Sequence, residues 1–152
     1  MDDTEASALP EVLVVEVNGG RVALPVEDTR EVVRLRTATR VPGAAAWIVG
    51  LLNVRGAVVA AGDLSRLAGG AEARGPVVLV EAGGRRAGLR VDAVVGVQGA
   101  TLVAGSARVA GLPSAGLARL SSEAAGRGGP AELPLLDVRA VLDDILEGES
   151  SL

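Results

Sequence analysis

Two stretches of the chain consist mostly of apolar, largely β-branched residues on both sides of a turn. The first occupies residues 12–26 and reverses at Asn18-Gly19-Gly20, and the second occupies residues 77–91 and reverses at Ala82-Gly83-Gly84. Asparagine and glycine accept the positive φ angles that tight turns between antiparallel strands require. The pattern therefore predicts two β-hairpins.

The two hairpins belong to a longer internal repeat. At an offset of 65 positions Gly19 falls on Gly84, and further along Asp63-Leu64 is echoed by Asp137-Val138. The second copy is longer because Ser121–Pro130 inserts a loop. A shared valine-rich composition is an alternative explanation of the similarity, but the aligned glycines and acidic residues argue against it. A duplication of this length predicts two similar small β units that gain stability by packing together.

The segment Asp137–Leu146 has the spacing of a helix. Its apolar residues lie at positions 138, 141, 142 and 145, on one helical face, and Asp137 can cap the start. Asp63 is likewise expected to cap a short turn through Leu67. The glycine-containing stretch 66–76 is predicted to cross between the two halves.

The composition narrows the possible chemistry. Trp47 is the only aromatic residue, so the core has to be built from Val, Leu, Ile and Ala, with Trp47 as a core or hinge plug. Cys, His, Lys and Tyr are absent, and all 15 basic residues are Arg. These absences remove disulfides, thiolate chemistry, the commonest general base, Schiff bases and the P-loop lysine. We therefore expect a protein that is not an enzyme and binds no cofactor.

The net charge of −4 is concentrated at the two ends of the chain. Without lysine clusters or stacking aromatic residues, nucleic acid is not an expected partner. The N-terminus lacks a basic region followed by an apolar stretch, and no apolar run approaches the roughly 20 residues that span a bilayer. We expect a cytoplasmic protein without direct membrane insertion, ordered over residues 11–146, with flexible tails at 1–10 and 147–152.

Three groups of residues invite a catalytic or ligand-binding interpretation. Asp63 and Asp137 form a candidate carboxylate pair, but their equivalent positions before apolar helical turns favour two helix caps. Glu27-Asp28 and Glu31 lack the regular oxygen-ligand spacing of a calcium loop. Gly83-Gly84-Arg85-Arg86 joins two predicted strands and opens no helix, so it is predicted to be a hairpin tip and not a phosphate loop.

The stretch from Arg40 to Gly56, RVPGAAAWIVGLLNVRG, resembles the signature of the CheW family of chemotaxis coupling proteins. Members typically show a Pro, an aromatic-Ile-x-Gly group, then Asn-x-Arg-Gly and a strand that ends in Asp-Leu. The resemblance covers about residues 11–146. Its further motifs are found at Thr29–Val32, Asp63-Leu64, Gly88–Val94 and Leu135–Val138.

The resemblance implies an all-β fold of two SH3-like five-stranded barrels packed side by side, with a short C-terminal helix. The subdomains are expected at about residues 22–76 and 77–134, completed by the terminal segments. Members of the family are non-catalytic adaptors in receptor arrays. They bridge the cytoplasmic tip of a chemoreceptor, a methyl-accepting chemotaxis protein, and the regulatory domain of a CheA-type histidine kinase. Both proteins are implied partners here, and other CheW-like proteins are possible further ones.

By position, the resemblance implies a receptor-binding role for a small group of residues. The planar guanidinium of Arg55 suits a carboxylate or carbonyl on a receptor helix, and neighbouring valines suit apolar side chains. An alternative is that Arg55 pairs with Glu31 and only holds two strands together, and the two roles are compatible. Asn53 and Gly56 are expected to shape the turn that carries Arg55. The implied receptor-binding residues are Glu31, Val32, Asn53, Arg55, Gly56 and Val58.

Two departures from the family pattern bear on the partner interactions. Ala60-Ala61-Gly62 precede Asp63 where many members have Pro and an apolar residue, which predicts a smaller and floppier strand end and an altered kinase contact. The absence of Phe and Tyr thins the usual interface anchors and leaves the affinity for either partner open. The leading hypothesis is an adaptor that couples receptor to kinase. The alternative is an accessory scaffold that binds receptors or itself but not the kinase.

Overall fold

The computed structural model describes residues 10–109, 111–121 and 132–149. The predicted N-terminal tail, apart from Pro10, and the loop predicted at Ser121–Pro130, apart from Ser121, lie outside these residues. Within them the chain forms strands, two helices and a 3-10 turn. In chain order these are β1 (Glu11–Val17), β2 (Gly20–Pro25), the 3-10 turn (Val26–Asp28), β3 (Thr29–Val33), β4 (Ile48–Val54), β5 (Ala57–Asp63), α1 (Leu64–Leu67), β6 (Val77–Ala82), β7 (Arg85–Arg90), β8 (Ala93–Val109), β9 (Leu112–Leu120), β10 (Glu132–Leu136) and α2 (Val138–Glu149).

The strands form two five-stranded sheets, which confirms the predicted fold class. Strands β1, β2, β10, β9 and β8 form a closed barrel in that order. Strands β3, β6, β7, β5 and β4 form a second sheet in that order, and its edge strands β3 and β4 do not pair with each other in the described residues. We call the first the closed barrel and the second the open sheet.

The predicted boundary between the two halves, at residues 76 and 77, does not match the sheets. The hairpin β1–β2 pairs with β8 and β10 of the second repeat, and the hairpin β6–β7 pairs with β3 and β5 of the first. The open sheet therefore lies within residues 29–90, and the closed barrel combines residues 11–25 with 93–136. Because a lone hairpin buries too little surface to be stable, each one gains by pairing with strands of the other repeat.

The repeat is visible in the strand pairing as well as in the sequence. β2 runs parallel to β10 where Ala23 faces Leu135, and the equivalent β7 runs parallel to β5 where Gly88 faces Ala61. One pairing breaks the symmetry: β8 and β9 pair and close the barrel, whereas the equivalent β3 and β4 stay apart. The second sheet is consequently open along one side.

The largest group of buried side chains lies between the two sheets, and we call it the shared core. β1 is buried on both faces, with Leu13, Val15 and Val17 in the shared core and Val12 and Val14 inside the closed barrel. A strand buried on both faces has to be apolar almost throughout, which explains its sequence. Other members of the shared core are Val22, Leu24, Leu64, Val78, Val80, Leu89, Val138, Val141, Leu142 and Ile145.

Helix α2 begins where it is predicted to begin and ends later. The Asp137 carboxylate accepts a hydrogen bond from the Ala140 N–H at 3.1 Å, as expected of a helix cap. The helix continues to Glu149, three residues beyond the predicted end. Residues 147–149 are therefore helical, although the sequence suggests a tail there.

The loop before β4 accounts for the longer helix. The Ala45 N–H donates to the Gly148 carbonyl at 3.2 Å, and the indole N–H of Trp47 donates to the Asp144 carbonyl at 3.3 Å. Gly148 lies in the last turn of α2, where the carbonyls need such partners because the helix itself supplies none. Half-buried Trp47 thus plugs this loop against the end of α2.

Asp63, at the end of β5, is almost completely buried, at 2% exposure, and its side chain holds α1 and the segment after it. One carboxylate oxygen accepts from the Arg66 N–H at 3.1 Å and caps α1, and the other accepts from the Ala73 N–H at 2.8 Å. Asp63 and Asp137 therefore both cap helices, as their equivalent positions in the repeat predict. Both carboxylates therefore have a structural role as acceptors of backbone N–H groups.

The strand end before Asp63 is closely packed, contrary to the sequence-based expectation. Ala61 is fully buried and Ala60 nearly so. A methyl group added at Gly62 would lie 2.6 Å from Ile145 Cγ1 of α2. The small residues are needed here because α2 lies against this part of β5.

We expect Gly62→Ala to lower the free energy of unfolding by about 1–3 kcal/mol, the usual cost of overpacking a core. Urea denaturation measures this loss. Gly20→Ala is the matched control, since its new methyl group would meet only the Val17 carbonyl oxygen, at 3.8 Å. Combined with Ile145→Ala, the Gly62 variant should lose less stability than the sum of the two single losses. Additive losses would contradict the steric explanation.

The two capping aspartates should differ in their contribution to stability. Asp63→Ala leaves two backbone N–H groups without an acceptor at a buried site, so we expect a loss of about 2–4 kcal/mol. Asp137→Ala removes one cap at a partly exposed helix start, so we expect a loss of about 1 kcal/mol. Thermal unfolding of both variants tests this order, and equal losses would argue against it.

Candidate functional site

The hairpin β4–β5 turns through two residues, Arg55 and Gly56, both with positive φ angles, 52° and 85°. The register on either side, Val54 opposite Ala57, makes this a two-residue hairpin loop. Such loops favour Asn or Gly because a bulky side chain in the left-handed region costs about 1–2 kcal/mol. The arginine is thus held in a conformation that its own backbone disfavours.

Two of the other hairpins of this type use the favoured residues. Asn18 and Gly19 form the turn of β1–β2, and Gly83 and Gly84 form the turn of β6–β7, all with positive φ angles. The second of these turns confirms the hairpin tip predicted at Gly83-Gly84. The arginine at the equivalent place in β4–β5 differs from both of these turns, and backbone strain of this kind is concentrated at functional positions.

Arg55 makes a two-pronged ion pair with Glu31 of β3. Its two terminal nitrogens lie 2.5 and 3.0 Å from the two carboxylate oxygens. The Arg55 side chain is nevertheless 77% exposed, against 32% for Glu31. Because exposed pairs contribute about 0.2–1 kcal/mol, this one does little more than offset the strain of the turn. It spans the open side of the sheet, since β3 and β4 are the unpaired edges.

The remaining predicted residues lie around this ion pair. Asn53 faces Val58 across β4 and β5, and its side-chain oxygen accepts the Gly56 N–H at 2.9 Å, so both Asn53 and Gly56 shape the turn as expected. Val58 is 67% exposed and Val32, next to Glu31, is 45% exposed. The structure therefore brings the six predicted residues to one end of the open sheet, with two valines exposed there.

A groove of about 560 Å³ runs between the end of β3 with its following segment and the end of β4. Its lining includes the apolar side chains of Val33, Leu35, Leu52 and Val54, which also belong to the small core inside the open sheet. We call these four the groove floor. The floor is reachable from outside because no strand closes the gap between β3 and β4 among the described residues.

Three arginines stand at the groove, and only Arg55 is among the predicted site residues. Arg34 and Arg36 follow β3 directly, line the groove and are exposed. We call Arg34, Arg36 and Arg55 the arginine rim. The sequence carries a signal for the two missed residues, the alternation Arg34-Leu35-Arg36, which places charges outside and the leucine inside. The family motifs do not include this segment.

A second exposed surface lies on the closed barrel, along β8 and β9. Val103 faces Leu117 directly across these two strands. Val97, in the part of β8 that pairs with β1, lies on the same face of β8 by strand alternation. These side chains are 38%, 37% and 55% exposed, respectively. Exposed apolar side chains concentrated on one face are typical of protein-binding surfaces. We call Val97, Val103 and Leu117 the barrel face.

The acidic residues near the 3-10 turn form no metal site in the part of the chain that the structure describes. Burial raises the pKa of Asp28 above its usual value, Glu27 adds to the rise, and Arg139 opposes it. Glu31, the third acidic residue considered from the sequence, is occupied by Arg55. Over the described ranges, no helix has the length and apolar character needed to cross a bilayer.

Comparisons with known proteins agree with this architecture. The CheW-like domain matches residues 11–145 of the chain. The crystal structure of the scaffolding protein TtCheW from Thermoanaerobacter tengcongensis is similar, with a TM-score of 0.69 and 22% sequence identity, over 86% of this chain and 90% of that chain. The match shows the CheW fold of two SH3-like subdomains. No curated protein matches the sequence. The extent of the family match shows that the chain belongs to the family of CheW-like domains.

Proposed function

We propose that this protein is a non-catalytic, cytoplasmic adaptor that couples chemoreceptor tips to a CheA-type histidine kinase in a receptor array. The observation that carries the proposal is Arg55, a strained and exposed arginine beside a groove with an apolar floor. The fold could place Asn or Gly in that turn at lower conformational cost, as it does in the β1–β2 and β6–β7 hairpins. A side chain kept at such a position points to a binding role.

The receptor site in this proposal consists of Glu31, Val32, Asn53, Arg55, Gly56 and Val58. Arg55 presents a planar fork of donors that matches a carboxylate on a receptor helix. Val32, next to Glu31, and Val58, opposite Asn53, supply exposed apolar surface. Asn53 and Gly56 hold the turn that aims Arg55. The ion pair with Glu31 and binding by Arg55 are compatible, because a receptor carboxylate can compete for the same exposed guanidinium.

An adaptor needs a second surface, and the barrel face is the candidate for the kinase regulatory domain. It lies on the closed barrel, whereas the receptor site lies on the open sheet. Two partners could therefore bind to different sheets of the same molecule. Apolar contacts of this kind suit a lasting assembly more than a brief encounter.

The alternative is an accessory scaffold that binds receptors, or other CheW-like proteins, but not the kinase. It uses the same receptor site and differs only in the occupant of the barrel face. The missing Phe and Tyr side chains leave both candidate surfaces without the commonest aromatic anchors, so they do not discriminate between the two hypotheses. The wild-type protein binds a purified kinase regulatory domain only under the first hypothesis.

Arg55→Asn separates a binding role from a structural one. We expect it to weaken binding to a receptor-tip fragment about tenfold or more, since the charged fork is lost. Its free energy of unfolding should stay within about 1 kcal/mol of the wild-type value, because relief of the strained turn offsets the lost ion pair. Isothermal titration calorimetry and urea denaturation measure the two effects.

Glu31→Arg should also weaken receptor binding. The matched control for Arg55→Asn is Arg86→Asn, because Arg86 is exposed and lies outside the site. A variant at position 55 that loses stability but binds normally would show that Arg55 only holds the strands together.

Charge placed on each surface should affect one partner only. Val103→Glu is expected to reduce binding to the kinase regulatory domain about tenfold or more, and to leave receptor binding intact. Val58→Glu is expected to reduce receptor binding by about as much and to leave binding to the kinase regulatory domain intact. Pull-down and calorimetry with each partner measure this. Loss of both partners in either variant would contradict the assignment of two separate surfaces, and a wild-type protein that ignores the kinase domain would favour the accessory scaffold.

A further inference from the structure

The groove has an electrostatic character opposite to that of the whole chain. Its charged lining residues are the three arginines of the rim and one glutamate, Glu31, whereas the chain as a whole carries a net charge of −4. Glu31 already neutralises Arg55. Arg34 and Arg36 are exposed and make no ion pair with the described part of the chain. These two charges are therefore available to a partner.

The groove floor adds an apolar component to this charge. Leu52 is buried, and Val33, Leu35 and Val54 are partly buried around it. A volume of about 560 Å³ accommodates several side chains of a partner. A matching ligand has apolar side chains in a row and carboxylates beside them, which is the arrangement of an amphipathic segment.

The backbone around the groove favours a helix over an added strand. The edge of β4 is already paired at Leu51, where Thr39 makes two backbone hydrogen bonds of 2.9 and 2.8 Å. The ion pair between Glu31 and Arg55 crosses the gap at its other end. A strand would need a free edge along β4, whereas a helix satisfies its own backbone and needs only side-chain contacts.

We propose that the groove selects an acidic amphipathic helix, and that Arg34 and Arg36 are specificity-determining contacts for its carboxylates. The apolar side chains of the helix pack on the groove floor, and its acidic residues pair with the arginine rim. This inference rests on the proposed receptor-binding function. The inference adds Arg34 and Arg36 to the receptor site and requires the partner to be acidic.

The experiment compares charge reversal inside and outside the groove. The probes are a receptor-tip fragment and two synthetic helices of about 20 residues, long enough to be helical on their own. One helix has a leucine stripe flanked by glutamates, and its twin carries glutamine in their place. We expect Arg34→Glu combined with Arg36→Glu to weaken binding of the tip and of the glutamate helix at least about tenfold. The glutamine helix should bind the wild-type protein correspondingly weakly, and added salt should narrow the difference.

The matched control is Arg74→Glu combined with Arg86→Glu, which changes the net charge equally at two exposed arginines outside the groove. Circular dichroism and thermal unfolding check the fold of both double variants, and Arg34→Gln with Arg36→Gln gives a milder test if reversal unfolds the protein. Equal losses in the groove and control variants would overturn the proposal. So would equal binding of the two helices, no binding of the glutamate helix, or tighter binding of an extended peptide of alternating Glu and Val.

The two proposals fail in different ways. If the wild-type protein ignores the receptor tip but binds the glutamate helix through Arg34 and Arg36, the receptor function is wrong and the charge selection stands. If the tip binds and depends on Arg55 but not on Arg34 and Arg36, the receptor function stands and the inference is wrong.

Discussion

The shared core, to which both exchanged hairpins contribute, is the interaction on which the rest of the structure depends. It contains Leu13, Val15, Val22 and Leu24 of β1–β2 together with Val78, Val80 and Leu89 of β6–β7. The hairpin β1–β2 belongs to the first repeat but hydrogen-bonds to β8 and β10 of the second. The hairpin β6–β7 belongs to the second repeat but hydrogen-bonds to β3 and β5 of the first. The two halves therefore cannot separate without each losing two of its five strands. Helix α2 adds Leu142 and Ile145 to the same core.

This arrangement explains which features the sequence could predict. Both hairpins, the capping roles of Asp63 and Asp137 and the start of α2 depend on neighbours within a few residues, so local patterns reveal them. Strand partners depend on residues far apart, and the valines of β1 look the same whichever sheet they join. The end of α2 was missed because its stabilising contacts come from Ala45 and Trp47, about 100 residues away.

The candidate site likewise combines features that depend on near neighbours with features that depend on residues far apart in the chain. Arg55, Asn53 and Gly56 lie in a short motif whose turn chemistry is local, and the structure places them in that turn. Arg34 and Arg36 follow the end of a strand without a motif of their own. Their position at the groove appears only when the gap between β3 and β4 is seen. The close packing at Gly62 was likewise invisible, because its neighbour Ile145 is distant in the chain.

The closed barrel and the open sheet differ in their edges, although each contains strands of both repeats. The barrel pairs all of its own strand edges, while β3 and β4 of the open sheet stay unpaired with each other beside an apolar floor. One sheet can therefore support the molecule while the other keeps a groove open to contacts.

The pairing of β2 with β10 also has a consequence for synthesis on the ribosome. Ala23 and its partner Leu135 are about 110 residues apart in the chain. At translation rates of roughly 5–20 residues per second, the valine-rich N-terminal hairpin waits roughly 5–20 s for that strand to emerge. Throughout this interval its edge and apolar faces are open to other nascent chains. The exchange of hairpins that makes the finished molecule cooperative thus makes the growing one dependent on protection from aggregation.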